Sequence, residues 1–179
     1  RRKEGAELQF YSPKLDRQSA ARKRLEAEVR TAVESNAFTP VFQPKVDLST
    51  GKIVGAEALA RWQLESGRIV SPGVFIPVAE ACGLIGDIGE QITRKACEGA
   101  ARWSNMGFRD ISVAVNVSPR QFENDDLGTM LIDAMTTAGL LPRLLQLEIT
   151  ESVAVTDPER RAWLAERYGR AWAGYQANA

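Results

Sequence analysis

Two short and almost uninterrupted apolar runs constrain the fold of this chain more than any other feature of its sequence. Residues 111–117 read Ile-Ser-Val-Ala-Val-Asn-Val, and residues 144–150 read Leu-Leu-Gln-Leu-Glu-Ile-Thr. Apolar runs of this length are typical of parallel strands that are buried on both faces of a sheet. Residues 86–106 and 121–138 have the apolar spacing of helices, and each ends beside a glycine. Strands that alternate with helices predict an α/β domain with a mainly parallel sheet.

The segment before these runs predicts an antiparallel hairpin. Residues 38–47 alternate as a strand, but Pro40 and Pro44 argue against a central position in a sheet. Residues 49–51 form a predicted turn, and residues 52–60 form a second predicted strand. The connection is too short for a crossover helix, so the two strands should be antiparallel. Four predicted strands suffice for an open sheet but not for an eight-stranded barrel of about 250 residues.

Helices are also predicted near both ends of the chain. The apolar spacing over residues 16–36 indicates a helix with Asp16 as its N-cap. Residues 157–159 read Asp-Pro-Glu, the pattern of an N-cap followed by a first-turn proline and a first-turn acid. The basic clusters at residues 1–3 and 22–24 are interpreted as solvated charge, with a partner or nucleic-acid contact as the alternative.

Composition and charge exclude several classes of function. The chain has 23 Lys and Arg against 23 Asp and Glu, so no global field attracts nucleic acid or a membrane surface. It has no histidine, which excludes Ser-His-Asp and Cys-His catalysis and His-ligated zinc. Cys82 and Cys97 form no CxxC pair, which fits a reducing, cytoplasmic compartment rather than a disulfide scaffold. No apolar run approaches the roughly 18 residues that a membrane-spanning helix needs.

Three predicted strands each contain one polar residue near the C-terminal end of the strand. These residues are Glu57, Asn116 and Glu148. A carboxylate in a buried strand is costly unless it is paired or bound to metal, and α/β folds hold ligands at the C-terminal ends of their parallel strands. Two carboxylates and an amide oxygen are hard oxygen donors, which suit Mg²⁺, Mn²⁺ or Ca²⁺ better than Zn²⁺.

Each of the three residues also has a simpler interpretation. A single strand glutamate is more often the partner of a cation or a solvent contact, and a single asparagine more often bonds to the backbone of a turn. Their occurrence at matching ends of successive strands favours a shared metal site. A different α/β enzyme with a carboxylate metal site for sugars or enolates is an alternative that no other residue supports.

A set of short motifs in a fixed order resembles a known family. The segment 55–62, Gly-Ala-Glu-Ala-Leu-Ala-Arg-Trp, resembles the signature of the EAL family of bacterial cyclic di-GMP phosphodiesterases. The resemblance extends from about residue 38 to residue 158, and it implies the first part of a TIM-like barrel with one antiparallel strand at the first hairpin. The supporting motifs are Gln43-Pro44, Thr50-Gly51, Phe75-Ile76-Pro77, Ala79-Glu80, Gly83-Leu84-Ile85, Asn116-Val117-Ser118 and Glu148-Ile149-Thr150-Glu151-Ser152.

The resemblance implies an activity and a role for five residues. The family hydrolyses one phosphodiester bond of cyclic di-GMP to give linear pGpG, with two Mg²⁺ or Mn²⁺ ions that acidify the attacking water and stabilise charge on the phosphoryl oxygens. Glu57, Asn116 and Glu148 resemble the metal ligands of the family. Gln43 and Arg61 resemble substrate-binding residues, and the guanidinium of Arg61 suits a phosphate oxygen. Without the family, Arg61 would be interpreted as a surface cation.

The resemblance also implies that the site is incomplete. In the family, the strand of Glu148 is followed by an Asp-Asp pair with Phe-Gly-x-Gly, and then by a lysine near the attacking water, a further metal-binding glutamate and a glutamine, a set that this sequence lacks. Glu151 has two interpretations: it orients the groups beside the metal site, or it is an ordinary carboxylate in the loop after the strand. We therefore expect a C-terminally truncated EAL domain with no complete catalytic set, whether the truncation lies in the gene or in the protein.

The predicted organisation has four parts. Residues 1–15 are a tail or the end of a preceding GGDEF domain, residues 16–36 are a linker helix, residues 37–158 are the N-terminal part of the EAL domain and residues 159–179 are an atypical C-terminal helix. An alternative function is a non-enzymatic remnant that binds cyclic di-GMP or a partner protein. Half a barrel exposes strand edges, which predicts a homo-oligomer or a complementary chain as a partner.

Overall fold

Helices and strands alternate along the chain. The computed structural model describes residues 13–64, 66–118, 120–121 and 126–149. The elements in these residues are helix α1 (Pro13–Glu34), strands β1 (Phe38–Val46), β2 (Ile53–Gln63) and β3 (Ile69–Val70), helices α2 (Pro72–Ala81) and α3 (Ile85–Asn105), strand β4 (Ser112–Val117), helix α4 (Leu127–Ala138), a 3₁₀ turn (Pro142–Leu144) and strand β5 (Leu145–Ile149).

The strands form one mixed sheet in the order β1-β2-β4-β5. Strands β2, β4 and β5 are parallel, whereas β1 and the short β3 pair antiparallel with β2. Helices α2 and α3 connect β2 to β4, and α4 connects β4 to β5, as in the crossovers of a parallel α/β fold. This is the first part of a TIM-like barrel with an antiparallel first hairpin, which confirms the predicted fold.

The first hairpin closes on an aspartate. The Oδ1 atom of Asp47 accepts hydrogen bonds from the Ser49 N–H (2.8 Å), the Ser49 hydroxyl (2.6 Å) and the Thr50 N–H (2.9 Å). Gly51 completes the turn with a φ of 67°, a left-handed conformation that glycine adopts without strain. Strand β1 lies at the edge of the sheet, as Pro40 and Pro44 predicted.

An aromatic cluster fixes the hairpin against α2. Phe38, Trp62 and Phe75 are buried, and their ring centroids lie 5.2 to 5.9 Å apart. Aromatic pairs at this separation contribute about 0.5–1.5 kcal/mol beyond the burial of their area. The cluster therefore helps to hold β2, the strand that carries Glu57, in a fixed position.

Two side chains of α3 bind the segment between α1 and β1. The Gln91 amide donates to the carbonyl of Val33 (2.8 Å), and the Lys95 ammonium donates to the carbonyls of Asn36 (2.9 Å) and Phe38 (2.5 Å). Burial lowers the pKa of Lys95 from its ordinary value. These bonds satisfy carbonyls at the end of α1 and the start of β1, and so fix the entry of the hairpin.

Several sequence predictions about element boundaries were wrong. Helix α1 begins at Pro13, so Asp16 lies inside the helix rather than at its N-cap. Helix α4 begins at Leu127 rather than at residue 121. Strand β2 extends to Gln63 rather than Ala60, because Trp62 still pairs with β1 and Gln63 pairs with β3. The sequence reading missed α2 and β3 altogether.

The predicted glycine ends of two helices were confirmed. Helix α3 ends two residues before Gly107 (φ 100°), and helix α4 ends one residue before Gly139 (φ 67°). Both glycines have a left-handed backbone, which lets the chain leave the helix without strain.

Some predictions fall outside the described residues. They concern Glu151, the helix after Asp157 and the tail that precedes Pro13. The division of the chain at residues 36 and 158 therefore stays a prediction. Among the helices of the described residues, none has the length and apolar character needed to span a membrane.

Candidate metal and substrate site

The three predicted metal ligands lie on one face of the sheet. In β2, the buried Ala56 and Ala58 flank the half-buried Glu57, so Glu57 points away from the helices. Asn116 in β4 and Glu148 in β5 alternate with buried valine and leucine residues in the same way. We call this surface the open face and define it by the side chains of Gln43, Lys45, Glu57, Arg61, Asn116 and Glu148.

The strand register brings the three residues close together. Asn116 and Glu148 are direct partners across β4 and β5, and each is the last residue but one of its strand. Glu57 pairs with Ala114, two positions before Asn116. Glu57 is the fifth of the eleven residues of β2, so the prediction that it lies near the end of its strand was wrong.

Each carboxylate of the open face is held by a nitrogen donor. The Asn116 amide nitrogen Nδ2 donates to Glu57 Oε1 at 2.6 Å. The ammonium of Lys45 forms an ion pair with Glu148 Oε1. Glu57 and Asn116 are thus in direct contact, whereas Glu148 contacts a residue of β1 instead. Donors within the chain therefore satisfy both carboxylates, as half-buried charges require.

Lys45 is a site residue that sequence reasoning missed. It lies two residues after Gln43 on the same face of β1, which is the only sequence signal for it. Its partner Glu148 is 103 residues away along the chain, in the strand at the opposite end of the sheet order. The sheet topology brings these two distant residues together, so local sequence spacing could not predict their contact.

The predicted substrate residues lie on the same face. Gln43 is the direct cross-strand partner of Glu57 and is exposed. Arg61 follows Glu57 by four residues, is half-buried and donates from Nη1 to the carbonyl of Ala60 at 2.9 Å. In the described residues, Arg61 forms no ion pair with a carboxylate. Its remaining guanidinium donors suit an anionic ligand.

A cavity of about 230 Å³ lies beside Arg61 and Asn116. It is a partly open cleft between the C-terminal parts of β2 and β4 and helices α2 and α3. Its walls are mainly apolar and its polar groups are few, as in many small-molecule sites. The apolar walls include Ile76, Ile85, Ile88 and Ile92, and the polar groups include Arg61, Glu80, Asn116, Ser118 and Gln121.

A small polar network supports the turn that follows Asn116. The Ser118 hydroxyl donates to Glu80 Oε1 at 2.8 Å, and the Ser118 N–H donates to the side-chain oxygen of the buried Gln121 at 2.9 Å. Arg120 donates to the carbonyl of Glu80 at 2.5 Å. The network ties the end of β4 to the last turn of α2, and it thereby restrains Asn116.

The donor chemistry of the open face fits a hard divalent cation. The carboxylates of Glu57 and Glu148 and the amide oxygen of Asn116 are the oxygen ligands that Mg²⁺ and Mn²⁺ accept. Among the described residues, no group of three or more His, Cys, Asp or Glu side chains is close enough to hold a metal ion. A metal ion on the open face would therefore need the amide oxygen of Asn116 as a third ligand beside the two carboxylates.

Comparisons with known proteins show the family of this chain. The EAL domain family matches the chain over residues 26–171. The signaling protein YkoW of Bacillus subtilis is 37% identical over 150 residues, which are 84% of this chain and 19% of that protein. The bifunctional diguanylate cyclase/cyclic di-GMP phosphodiesterase MucR of Pseudomonas aeruginosa is 33% identical over 158 residues, which are 88% of this chain and 23% of that protein.

The fold also matches part of a solved phosphodiesterase. The structure of the PaMucR phosphodiesterase in complex with c-di-GMP superposes with a TM-score of 0.77 at 34% identity, over 83% of this chain and 60% of that chain. The chain spans about a fifth of the length of the curated relatives named above. The motifs, the sheet topology and the family match lead to one conclusion: this chain belongs to the EAL domain family.

Proposed function

We propose that this chain carries the first part of a metal-dependent cyclic di-GMP phosphodiesterase site, and that its 179 residues alone do not complete the catalytic set. The observation that carries the proposal is the placement of Glu57, Asn116 and Glu148 on one face of adjacent parallel strands, within a fold that matches a c-di-GMP phosphodiesterase. We infer that the metal is Mg²⁺ or Mn²⁺, because the donors are hard oxygens.

The residues of the open face divide into metal-binding and substrate-binding groups. Glu57, Asn116 and Glu148 would hold the metal, which when bound supplies Lewis acidity to the attacking water and to the phosphoryl oxygens. For this, the Asn116 amide must turn so that its oxygen rather than its nitrogen faces the site. Arg61 binds a phosphate oxygen, and Gln43 provides an amide for the ligand from the neighbouring strand.

The incompleteness follows from the residues after Glu148. The sequence contains no lysine after Lys95, and residues 159–179 contain no aspartate. The lysine and the paired aspartates that the family places after this strand are therefore absent from these residues. A metal held by three ligands on one face lacks the second half of its coordination sphere, so we expect no turnover by this chain alone.

Mn²⁺ binding tests the metal-binding role. The variants E57Q and E148Q each remove the charge of one ligand and should bind Mn²⁺ about tenfold or more weakly than the original chain. The variant E98Q is the matched control, because Glu98 is exposed on α3 and is not a residue of the open face. Equal Mn²⁺ affinity in all four proteins would remove the metal-binding role.

Turnover tests the incompleteness. The chain is incubated with cyclic di-GMP and Mn²⁺ or Mg²⁺, and pGpG is measured by chromatography with the PaMucR phosphodiesterase as the positive control. We expect no pGpG above the protein-free rate. Rapid turnover by the 179-residue chain would show that the catalytic set is complete without the missing family residues.

A second candidate function is a non-enzymatic binder of cyclic di-GMP. It is favoured by Gln43 and Arg61, which lie on the open face while the later family residues are absent. Calorimetry with cyclic di-GMP should then show binding that R61M weakens by about tenfold or more, since a charged hydrogen bond is lost. R68M, a change of an exposed arginine between β2 and β3, is the matched control. A folded chain that releases no heat with the ligand would exclude this function.

A further inference from the structure

We propose that Lys45 is a resident counter-cation of the metal site, which a divalent metal must displace from Glu148 in order to bind. The inference rests on the proposed metal-binding function and concerns what sets the affinity of that site. It starts from the ion pair between the Lys45 ammonium and Glu148 Oε1, which joins the edge strand β1 to β5.

The strand register explains how Lys45 reaches Glu148. Lys45 is the direct cross-strand partner of Gly55 in β2, and Gly55 presents no side chain. A Cβ at Gly55 would lie 2.7 Å from the hydroxyl oxygen of Ser112 in β4, so even an alanine does not fit there without a shift. The lysine side chain can therefore cross the open face over β2 and β4 toward β5.

The charges of the open face show what the ion pair does. Its two carboxylates, Glu57 and Glu148, are matched by two cations, Lys45 and Arg61, so the formal charge of the face is zero. A site for a divalent cation gains affinity from net negative charge. With Lys45 in place, that negative charge is already compensated.

The ammonium and the metal compete for the same carboxylate. Glu148 Oε1 accepts a hydrogen bond from the Lys45 ammonium, and the same carboxylate would coordinate the metal. A lysine and a divalent cation on one carboxylate oxygen repel each other at short range. The Lys45 and Glu148 side chains are 36% and 34% exposed, so the lysine can leave into solvent and the exchange is reversible.

The test is Mn²⁺ binding to the full chain, measured by the electron paramagnetic resonance signal of free Mn²⁺. Removal of the positive charge in K45M and K45Q should tighten Mn²⁺ binding about tenfold, the effect of one unit charge a few ångströms from a divalent ion in water-like surroundings. K45R keeps the charge and should bind Mn²⁺ like the original chain. K52M makes the same neutral substitution at an exposed lysine of the hairpin turn and should also leave the affinity unchanged.

The two proposals fail in different ways. If E148Q weakens Mn²⁺ binding but K45M and K45Q bind it like the original chain, the Lys45 inference is overturned and the metal site stands. If E57Q and E148Q do not weaken Mn²⁺ binding, the proposed metal site is overturned, and the Lys45 inference with it.

Thermal unfolding provides a readout that does not depend on activity. Without metal, K45M leaves Glu148 without its partner and should lower the melting temperature. Added Mn²⁺ should then raise the melting temperature more in K45M than in the original chain, because tighter ligand binding stabilises the folded state more. An equal rise in both proteins would overturn the inference.

Discussion

Single residues determine how the first hairpin closes, and Asp47 is the most constrained of them. Hydrogen bonds from the Ser49 hydroxyl, the Thr50 N–H and the Ser49 N–H lower the pKa of the Asp47 carboxyl. A folded-state pKa below the unfolded value of about 3.9 means that the carboxylate stabilises the fold above that pH. The stabilisation is lost as the pH falls through the folded pKa.

This gives a prediction for D47A. At neutral pH the variant should melt a few degrees below the original chain, because its turn lacks the carboxylate acceptor. The difference should shrink as the pH is lowered below about 4, where the original chain also loses the charge. The control is D110A, since Asp110 is an exposed turn residue with no side-chain hydrogen bond in the described residues. A difference in melting temperature that is independent of pH would contradict the role assigned to the charge.

The two cysteines should differ in reactivity. Burial raises the pKa of the Cys97 thiol to about 11, and the side chain is fully buried on α3. Since the thiolate is the reactive form, Cys97 is almost entirely the unreactive thiol at pH 8, and its buried position also keeps reagents away. Cys82, at the end of α2, is half-buried and accessible.

A thiol titration checks this difference. We expect the native chain to react with an aromatic disulfide reagent at one thiol, and the denatured chain to react at two. The variant C82S should lose the fast thiol, whereas C97S should keep it. A fast reaction of C82S in its native state would mean that Cys97 is accessible.

At the scale of elements, the helices and strands whose apolar residues follow a regular pattern could be predicted from the sequence. The apolar runs of β4 and β5 and the turn of the first hairpin are local patterns, and the glycine ends of α3 and α4 require only the sequence. Helix α2 was missed because its apolar residues follow one another without a helical period, and because Pro77 lies inside it. The two-residue β3 is too short to leave any periodic signal.

The candidate site was only partly predictable for a related reason. Glu57, Asn116 and Glu148 are polar interruptions of apolar strands, and such interruptions are visible in the sequence alone. The partner that each carboxylate finds depends on the register of the sheet and on rotamers. The Lys45–Glu148 pair and the network of Glu80, Ser118 and Gln121 therefore became visible only in the folded chain.

Helix α3 offers a matched pair of glycines that tests this network. A Cβ at Gly89 would lie 2.0 Å from the amide nitrogen of the buried Gln121, whereas a Cβ at Gly86 would have no heavy atom within 4 Å. Replacing a helical glycine by alanine stabilises a helix by roughly 0.5–1 kcal/mol. We therefore expect G86A to raise the free energy of unfolding by up to that amount.

G89A should have the opposite effect. The clash displaces Gln121 from Ser118, and we expect a net loss of about 1–3 kcal/mol in the free energy of unfolding by denaturant titration, as for an overpacked core site. A double-mutant cycle with Q121A should give a coupling energy of about 0.5–3 kcal/mol, because the alanine at position 121 removes the clash. Additive effects of G89A and Q121A would show that the two positions do not interact.

At the scale of the whole molecule, the sheet has two outer edges, and they differ. In the described residues, β1 and β5 each pair with a strand on one side only. Strand β1 contains Pro40 and Pro44, which lack the N–H groups that a new strand would bind. Strand β5 reads Leu-Gln-Leu-Glu-Ile and contains no proline, so it can pair along its length with another strand.

We therefore predict that self-association of this chain uses β5 rather than β1. A lysine at an edge strand opposes pairing with a second copy, so Q146K should shift the molar mass measured by light scattering toward that of a monomer. V41K places the same charge at an exposed position of β1, and it should leave the molar mass unchanged. If V41K dissociates the assembly and Q146K does not, β1 is the interface and its prolines do not protect it. A monomer at every concentration of the original chain would show that neither edge is available, and would remove the partner role proposed for the strand edges.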